Sequence, residues 1–347
     1  MLKLILSNAA NLAAHAALSP EKRRTLRSRA RYECQENNSY GFGIVNTLAT
    51  DTVGRGPRLQ LSLDPVAGPE TPSTVRRMQR RLREVEKLWQ SWAKAIGLTW
   101  KMQTARRSKC VDGEYFAVIR NNPGLQHELK LDVVLLEADQ VSTPDLRGPT
   151  PTRIDGIHFD DWGNPVAYDI LRQHPGSDIY PGWDHTEYDT IDARWMIHGF
   201  TSFRPGQLRG VPEITPALQL FADMRRFTQA VLAAAEVAAC LAGVMRTSVN
   251  DLTPQKIKPM QSLPLELRQL LTLPEGWTIE QFRAQQPVAT YAMFKRELLN
   301  EIGRCLSMPY NVSAMDSSDY NYASGRLDHQ VYHRVIDIER CHFEELF

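Results

Sequence analysis

The five cysteines show no pairing pattern. Cys34, Cys110, Cys240, Cys305 and Cys341 lie far apart, their number is odd and no CxxC occurs. That argues against a disulfide framework or a cysteine zinc site and fits a reducing compartment. A membrane-length apolar run is missing too: the longest stretch, residues 227–245, carries Gln229 and Glu236 and is richer in alanine than in leucine. At the N-terminus Ser7, Asn8 and Asn11 interrupt the apolar residues too early for a signal peptide, so an amphipathic first helix and a soluble, intracellular protein with no membrane partner are expected. Neither sign of charge dominates. Lys+Arg 41 against Asp+Glu 40 leaves +1, so no bulk positive field exists to hold nucleic acid nonspecifically.

Catalytic motifs are also lacking. There is no GxxxxGK[ST] phosphate loop, Gly41-Phe-Gly43 lacks the third glycine and preceding strand of a dinucleotide site, and Ser324-Gly325 follows alanine, so no GxSxG elbow forms. His329 and His333 stand one helical turn apart near Asp328 and Asp337, yet no third ligand is fixed beside them. His158 with Asp160 and Asp161 reads as a polar turn, because adjacent strand residues face opposite ways. The expectation is a protein that is not an enzyme and uses no cofactor or metal.

What is present is enough apolar material for a globular chain: 42% of the 347 residues are hydrophobic and 23% charged. At roughly 150 residues per domain this implies about two domains. Charge is unevenly placed. Residues 75–109 hold eleven Lys/Arg against Glu84 and Glu86 and read as one basic helix, and Lys22, Arg23, Arg24, Arg27, Arg29 and Arg31 follow a Ser19-Pro20 helix start. Residues 132–192 reverse the balance, with thirteen acidic residues against Arg147, Arg153 and Arg172. Such separation suits subunits that dock unlike faces, and it equally suits ordinary solvated surfaces.

Runs at residues 115–119, 131–136 and 166–171 are rich in β-branched and aromatic residues, with turns at Asn121-Asn-Pro-Gly and Trp162-Gly-Asn-Pro. An antiparallel, mostly β region over 97–203 is expected, without the helix-crossover rhythm of a doubly wound sheet. Thr215-Pro216 then opens a helix reaching residue 242, whose 27 residues would extend ~40 Å at ~1.5 Å each. Seven of the thirteen residues 230–242 are alanine, which favours close packing against other helices. A proline-rich insertion follows. After it come a helix bearing Tyr291, Phe294, Leu298 and Ile302, a polar loop over 311–322, and a helix bearing Leu327, Val331, Val335 and Ile338.

The most specific stretch is Phe203-Arg-Pro-Gly-Gln-Leu-Arg-Gly-Val-Pro-Glu-Ile-Thr-Pro-Ala-Leu. It is similar to the RPGQxRGxP signature of lambda-family bacteriophage portal proteins, which leads into a helix starting Pro-Ala-Leu. Arg27-Ser-Arg-Ala-Arg, Asn37-Asn38, Val53-Gly-Arg-Gly, Gly156-Ile-His-Phe-Asp through Gly163-Asn-Pro-Val-Ala-Tyr, Met308-Pro-Tyr and Asn321-Tyr-Ala-Ser resemble further segments of that family in the same order. The resemblance covers roughly residues 27–326. Within the signature, Gly206 and Gly210 permit tight turns, Pro205 and Pro212 fix direction, Arg204 and Arg209 can pin the turn to carboxylates or carbonyls, and Gln207 belongs to the same junction.

The resemblance implies an α+β portal-type fold with a mostly-β wing, long stem helices, a small clip insertion and a tunnel loop. Its parts would be an N-terminal helical region of the wing (1–96), a β-rich wing domain (97–211), a stem helix (212–245), a clip-like insertion (246–289), a second stem helix (290–306), a tunnel-loop-like segment (307–322) and a helix leading toward the crown (323–347). Implied partners are further copies of the chain in a ring, usually of twelve, double-stranded DNA in the channel, terminase, head-tail connector proteins, and the major capsid or scaffold protein. Implied locations are the capsid portal vertex and, during assembly, the host cytoplasm. Asp316, Ser317, Ser318, Asp319 and Asn321 would line the channel, whose wall must let DNA slide. Asn311-Val-Ser-Ala, Ala323 and Gly325 depart from the family pattern there. The chain stops at Phe347 within an expected helix, so either further residues follow or this is a shortened prophage copy. The competing reading is a monomeric DNA-binding module using the basic helix around residues 76–109.

Overall fold

The computed structural model describes residues 19–63, 72–143, 150, 152–176, 187–240, 244–247, 277–280, 288–318 and 320–347. The expected first helix over residues 1–18, most of the insertion over 246–289, and Asp319 lie outside these residues. The chain divides into two compact units, one of residues 1–221 with 299–347 and one of residues 222–298.

The first unit begins with α1 (Pro20–Arg31), with Ser19 extended at its N-cap and Pro20 in the first turn. It continues as a π-helical turn, Tyr32–Asn37. Asn38 then leaves the helix, and its side chain accepts from the amides of Tyr40 and Gly41, which starts α2 (Ser39–Val53). Next come α3 (Pro72–Ala95) and α4 (Leu98–Asp112). Two expectations are corrected here: the single basic helix over 75–109 is two helices, and the region expected to be mostly β from residue 97 opens with the fifteen residues of α4. Gly97, at φ +66, is the reason, because a left-handed residue ends one helix and starts the next at an angle.

Seven strands follow: β1 (Glu114–Asn121), β2 (Leu131–Leu136), β3 (Arg153–Ile154), β4 (Ile157–Phe159), β5 (Pro165–Leu171), β6 (Tyr188–Asp192) and β7 (Met196–Phe200). They form two antiparallel sheets of order β2-β1-β7 and β3-β4-β5-β6. Alternation along β1 sorts the core into two layers. Tyr115 and Ala117 face Trp92, Ile96, Met102 and Ala105 of α3 and α4, whereas Phe116 and Val118 face Ile157, Tyr168 and Ile170 of the second sheet. The order is therefore helices, three-stranded sheet, four-stranded sheet.

A 3-10 turn, Thr215–Ala217, precedes α5 (Leu218–Cys240), so the long helix expected from Pro216 starts two residues later, and residues 241–243 are not described. Beyond it lie the paired strands β8 (Val244–Thr247) and β9 (Trp277–Glu280), α6 (Val288–Cys305), α7 (Tyr310–Ser313) and α8 (Tyr322–Leu346). In the second unit Phe227 of α5 packs on Tyr291 and Phe294 of α6, with ring centroids 5.7 and 4.4 Å away. The short α7 corrects the loop expected over 311–322, because the Pro309 carbonyl accepts from the amides of Val312 and Ser313. In the first unit α8 buries Tyr332, Ile336, Glu339 and Phe343, and Phe343 and Phe347 stack on Tyr115. No described helix is long and apolar enough to cross a membrane.

Candidate functional site

The signature segment folds as a sequence of local constraints. Gly206, at φ +75, turns the chain, and the amide of Gln207 donates to the Arg204 carbonyl at 3.2 Å. The Gln207 side chain braces the turn from inside, accepting from the Phe203 amide (3.1 Å) and donating to the Arg209 carbonyl (2.9 Å). Arg204 and Pro205 are exposed, whereas Gln207, Arg209, Gly210 and Pro212 are buried. At Gly210 the backbone presses against the end of α4. A Cβ there would lie 2.1 Å from the Gly113 carbonyl oxygen, and one on Gly113 would lie 2.3 Å from the Val211 carbonyl carbon. The exit from the segment is fixed by the Ile214 amide donating to the Cys110 carbonyl at 3.3 Å, and by Thr215, whose amide and hydroxyl both donate to the Pro212 carbonyl.

Arg209 is 1% exposed. It uses all five N–H groups: Nε and Nη2 hold the Glu114 carboxylate at 2.9 and 2.7 Å, Nη2 also reaches the Ala138 carbonyl, and Nη1 reaches the carbonyls of Val141 and Asp155. Its guanidinium lies 5.1 Å from the Phe116 ring centroid. Such saturation is the condition under which a guanidinium stays charged in a core. Glu114 is equally engaged, accepting from Arg27, from the Gly210 amide (2.8 Å) and lying 3.1 Å from His198 Nε2. Arg27 adds the Asp112 carbonyl and Asp139, while Arg23 pairs with Asp155 at 2.5 Å. Arg23, Arg27 and Arg209 thus balance Glu114, Asp139 and Asp155.

Burial opposes the charged carboxylates, but Arg209 and Arg27 outweigh it and hold Glu114 well below the usual range. Asp155 is lowered for the same reason by Arg209 and Arg23, and Asp139 by Arg27 and Arg31. At Asp112 burial wins over Arg31 and pushes the carboxyl up to about 6. Burial lowers His198, so its imidazole is neutral near pH 7. A second buried set extends the clamp: Arg106 pairs with Glu213 at 2.8 Å and Lys109 with Glu339 at 2.5 Å, joining the segment before α5 to α4 and α8. The combined arrangement is a buried ionic clamp centred on the fully paired Arg209. Its groups hold one another, so its capacity is mechanical: it fixes α1, β1, the turn at Asp155 and the entry to α5 together.

The loop residues lie elsewhere. Asp316 accepts from the amide of Ser318 at 3.0 Å and from its hydroxyl, Ser317 offers its carbonyl to the Tyr320 amide, and Ser317 and Ser318 are exposed. Asn321 caps α8 by accepting from the Ser324 amide at 2.9 Å, while Ser324 Oγ reaches back to the Asn321 amide. Met315, which the sequence did not single out, is 84% exposed in this loop at φ +56.

Other candidates resolve into ordinary contacts. His329 Nε2 lies 2.9 Å from Asn311 Nδ2. His158 meets the buried Asp169, which also pairs with Arg153. Among the described residues, Glu137, Asp139 and His174 have metal-ligand spacing, but Arg31 bridges Glu137 and Asp139 at 2.6 and 3.1 Å and supplies the positive charge there. Cys34 and Cys305 are free thiols that burial pushes up to about 12, so they stay protonated. Glu114 and Asp155 were missed in the sequence, and Arg23 was named there only as one cation of the basic first cluster. Only Asp155 had a neighbouring signal, in Gly156.

The family model described as phage portal protein, lambda family, matches residues 7–340. A curated relative, the probable portal protein of Halomonas phage phiHAP-1, is 25% identical over 191 residues, 52% of this chain and 37% of that protein, so the chain matches little more than a third of the relative's length. Among solved structures, a chain from the virion of a native gene transfer agent particle aligns with TM-score 0.50 at 14% identity, covering 89% of this chain and 75% of that one, and this shows a shared fold. An HK97 family phage portal protein from Corynebacterium diphtheriae aligns with TM-score 0.36 at 12% identity, over 90% of this chain and 83% of that one.

Proposed function

Because the chain belongs to the lambda family of phage portal proteins, we propose that it is the structural portal of a tailed bacteriophage or prophage. Copies form a ring at one capsid vertex, double-stranded DNA passes through the centre during packaging and ejection, and terminase and then tail connector proteins dock on the ring. The chain would reside in the virion at the portal vertex, and in host cytoplasm during assembly. The match of the family over residues 7–340 carries this reading.

The buried clamp supports it in physical terms. Arg209, Glu114 and the Gly113–Gly210 contact hold the segment that precedes α5 rigidly within the first unit. In this reading α5 and α6 are stem helices, the segment over 246–289 is the clip where terminase and connectors dock, and Asp316, Ser317, Ser318, Asp319 and Asn321 belong to a loop facing DNA. Their polar, uncharged or acidic character suits a wall past which phosphates slide.

The rival reading, a DNA-binding module built on residues 76–109, is disfavoured by the fate of its cations. Arg106 and Lys109 are buried in ion pairs, and Lys101 pairs with Asp132 at 2.7 Å. Native mass spectrometry with negative-stain imaging of the same sample tests the proposal. Rings of about a dozen subunits around a hole wide enough for duplex DNA are expected. A monomer that binds duplex DNA tightly and loses it steeply with salt would overturn it.

A further inference from the structure

Two surfaces of the first unit are unlike in chemistry and lie on opposite sides of its three-stranded sheet. On the helical side, α3 carries Arg76, Arg80, Arg83 and Lys87 at spacings of four, three and four residues, a stripe along one face. Arg80 pairs with Glu84, while Arg76, Arg83 and Lys87 have no ion-pair partner among the described residues. Beside this stripe is a cleft of about 480 Å³ whose lining includes Arg58, Arg83, Lys87 and Trp89. Arg58 is likewise unpaired, and the one carboxylate in the cleft, Glu86, accepts from the Leu61 amide at 2.8 Å. The cleft is cationic, with an aromatic wall.

On the far side, the turn between β4 and β5 is rigid. The Asp160 carboxylate accepts from the amides of Trp162 (2.9 Å) and Asn164 (2.7 Å) and from Asn164 Nδ2 (3.0 Å). At its tip Trp162 is 90% exposed, and Asp161 beside it is exposed and has no ion-pair partner among the described residues. The register Ala167↔Asp192 sets the half-exposed Trp195 at this same end of the sheet.

We propose that copies of this chain join head to tail, the Trp162 turn of one copy entering the cationic cleft beside α3 of the next. An indole is a good surface for guanidinium and ammonium groups, Asp161 would meet a cation that has no partner among the described residues, and tryptophan and arginine are the residues that dominate interface energetics. The three-stranded sheet stands between the two surfaces, so one chain does not close the contact on itself. The occupant of the cleft is a second copy. A contact between unlike surfaces repeats around an axis and closes a ring where the rotation per subunit divides a full turn, whereas two cationic clefts would repel. The ring rests on the portal reading, while the pairing of turn and cleft is tested separately.

Trp162→Ala, Asp161→Lys and Lys87→Glu alter exposed side chains, so each folds with an unchanged melting temperature and loses ring assembly, with a fall of about thirtyfold in association constant as for one interface hot spot. Mixing Asp161→Lys chains with Lys87→Glu chains gives one favourable and one native contact per pair, and the chain carrying both substitutions restores complementarity within every contact. Rings return in both samples. Rings undiminished in the single variants, or no recovery on mixing, overturn the proposal. Should the unaltered chain form no ring at all, the portal reading fails on its own test, and the contact is decided by oxidising Asp161→Cys chains with Lys87→Cys chains. A disulfide mapped to residues 161 and 87 supports it, and its absence at high concentration overturns it, both chains also carrying Cys341→Ser to remove the exposed native thiol.

Discussion

Arg209 and Glu114 lie 95 residues apart in sequence and saturate one another in the core. Removing either leaves a buried charge without compensation, which costs far more than the pair itself contributes relative to an apolar core. Glu114→Gln is therefore expected to destabilise the first unit by about 3 kcal/mol in denaturant unfolding, and Arg209→Lys acts in the same direction because an ammonium cannot reproduce the five-donor fork. The same residues set the acid limit. Glu114, Asp139 and Asp155 have folded pKa values below their unfolded ones, so their contribution is complete above the ordinary carboxylate range and is lost as pH falls through the depressed values. Asp112, raised to about 6, works oppositely and favours the folded state below its unfolded value, losing that contribution as pH rises through about 6. Acid titration followed by circular dichroism should show the chain losing structure below about pH 4, with Glu114→Gln flattening that limb. Arg27, Arg209 and Gly156 stood out in the sequence through their motifs. Glu114 did not, because a residue at the head of a strand carries no local sign of what the sheet will bring to it.

Elements meet through backbone contacts that tolerate no side chain. The loop before α5 crosses the end of α4 at Gly210, where a Cβ would sit 2.1 Å from the Gly113 carbonyl oxygen. Gly210→Ala must displace one backbone from the other, and a loss of about 2 kcal/mol or more in thermal or denaturant unfolding is expected. The loop between α7 and α8 behaves differently, since Asp316 is satisfied locally by Ser318. Asp316→Lys is thus expected to leave the melting temperature unchanged and to lower packaged-DNA yield in particles; unaltered particle titre would remove this loop from the channel. Helix positions were largely legible at this scale: Ser19-Pro20 starts α1, and the periodic Tyr291, Phe294, Leu298 and Ile302 lie in α6. The boundary at Gly97 was not, because a lone glycine in a cationic, helix-favouring stretch reads as tolerated until its φ of +66 is seen. Nor was α7, which depends on the Pro309 carbonyl meeting two amides rather than on apolar periodicity.

For the whole molecule, a charge of +1 conceals how many cations are already committed. Of the eleven Lys/Arg over residues 75–109, Arg80, Lys101, Arg106 and Lys109 are in ion pairs and Arg107 donates to Asn46. Six remain: Arg76, Arg77, Arg81, Arg83, Lys87 and Lys94. If all eleven met phosphates, the logarithm of DNA affinity would fall against log salt with a slope of about −10; the six without a partner among the described residues limit the share of these helices to about −5, and only if every one engaged at once. Seated against a neighbouring copy, several of these six would be withdrawn as well. These helices are therefore expected to bind duplex DNA weakly, contributing a slope shallower than about −5, and the ring to bind it no more tightly per subunit. Fluorescence anisotropy across a salt series measures both quantities. A steeper slope with tight binding would mean that the buried pairs open to reach phosphate, returning the basic helices to a nucleic-acid role; a shallow slope with weak binding is the outcome the proposed ring requires, in which the subunit does not grip the DNA it surrounds.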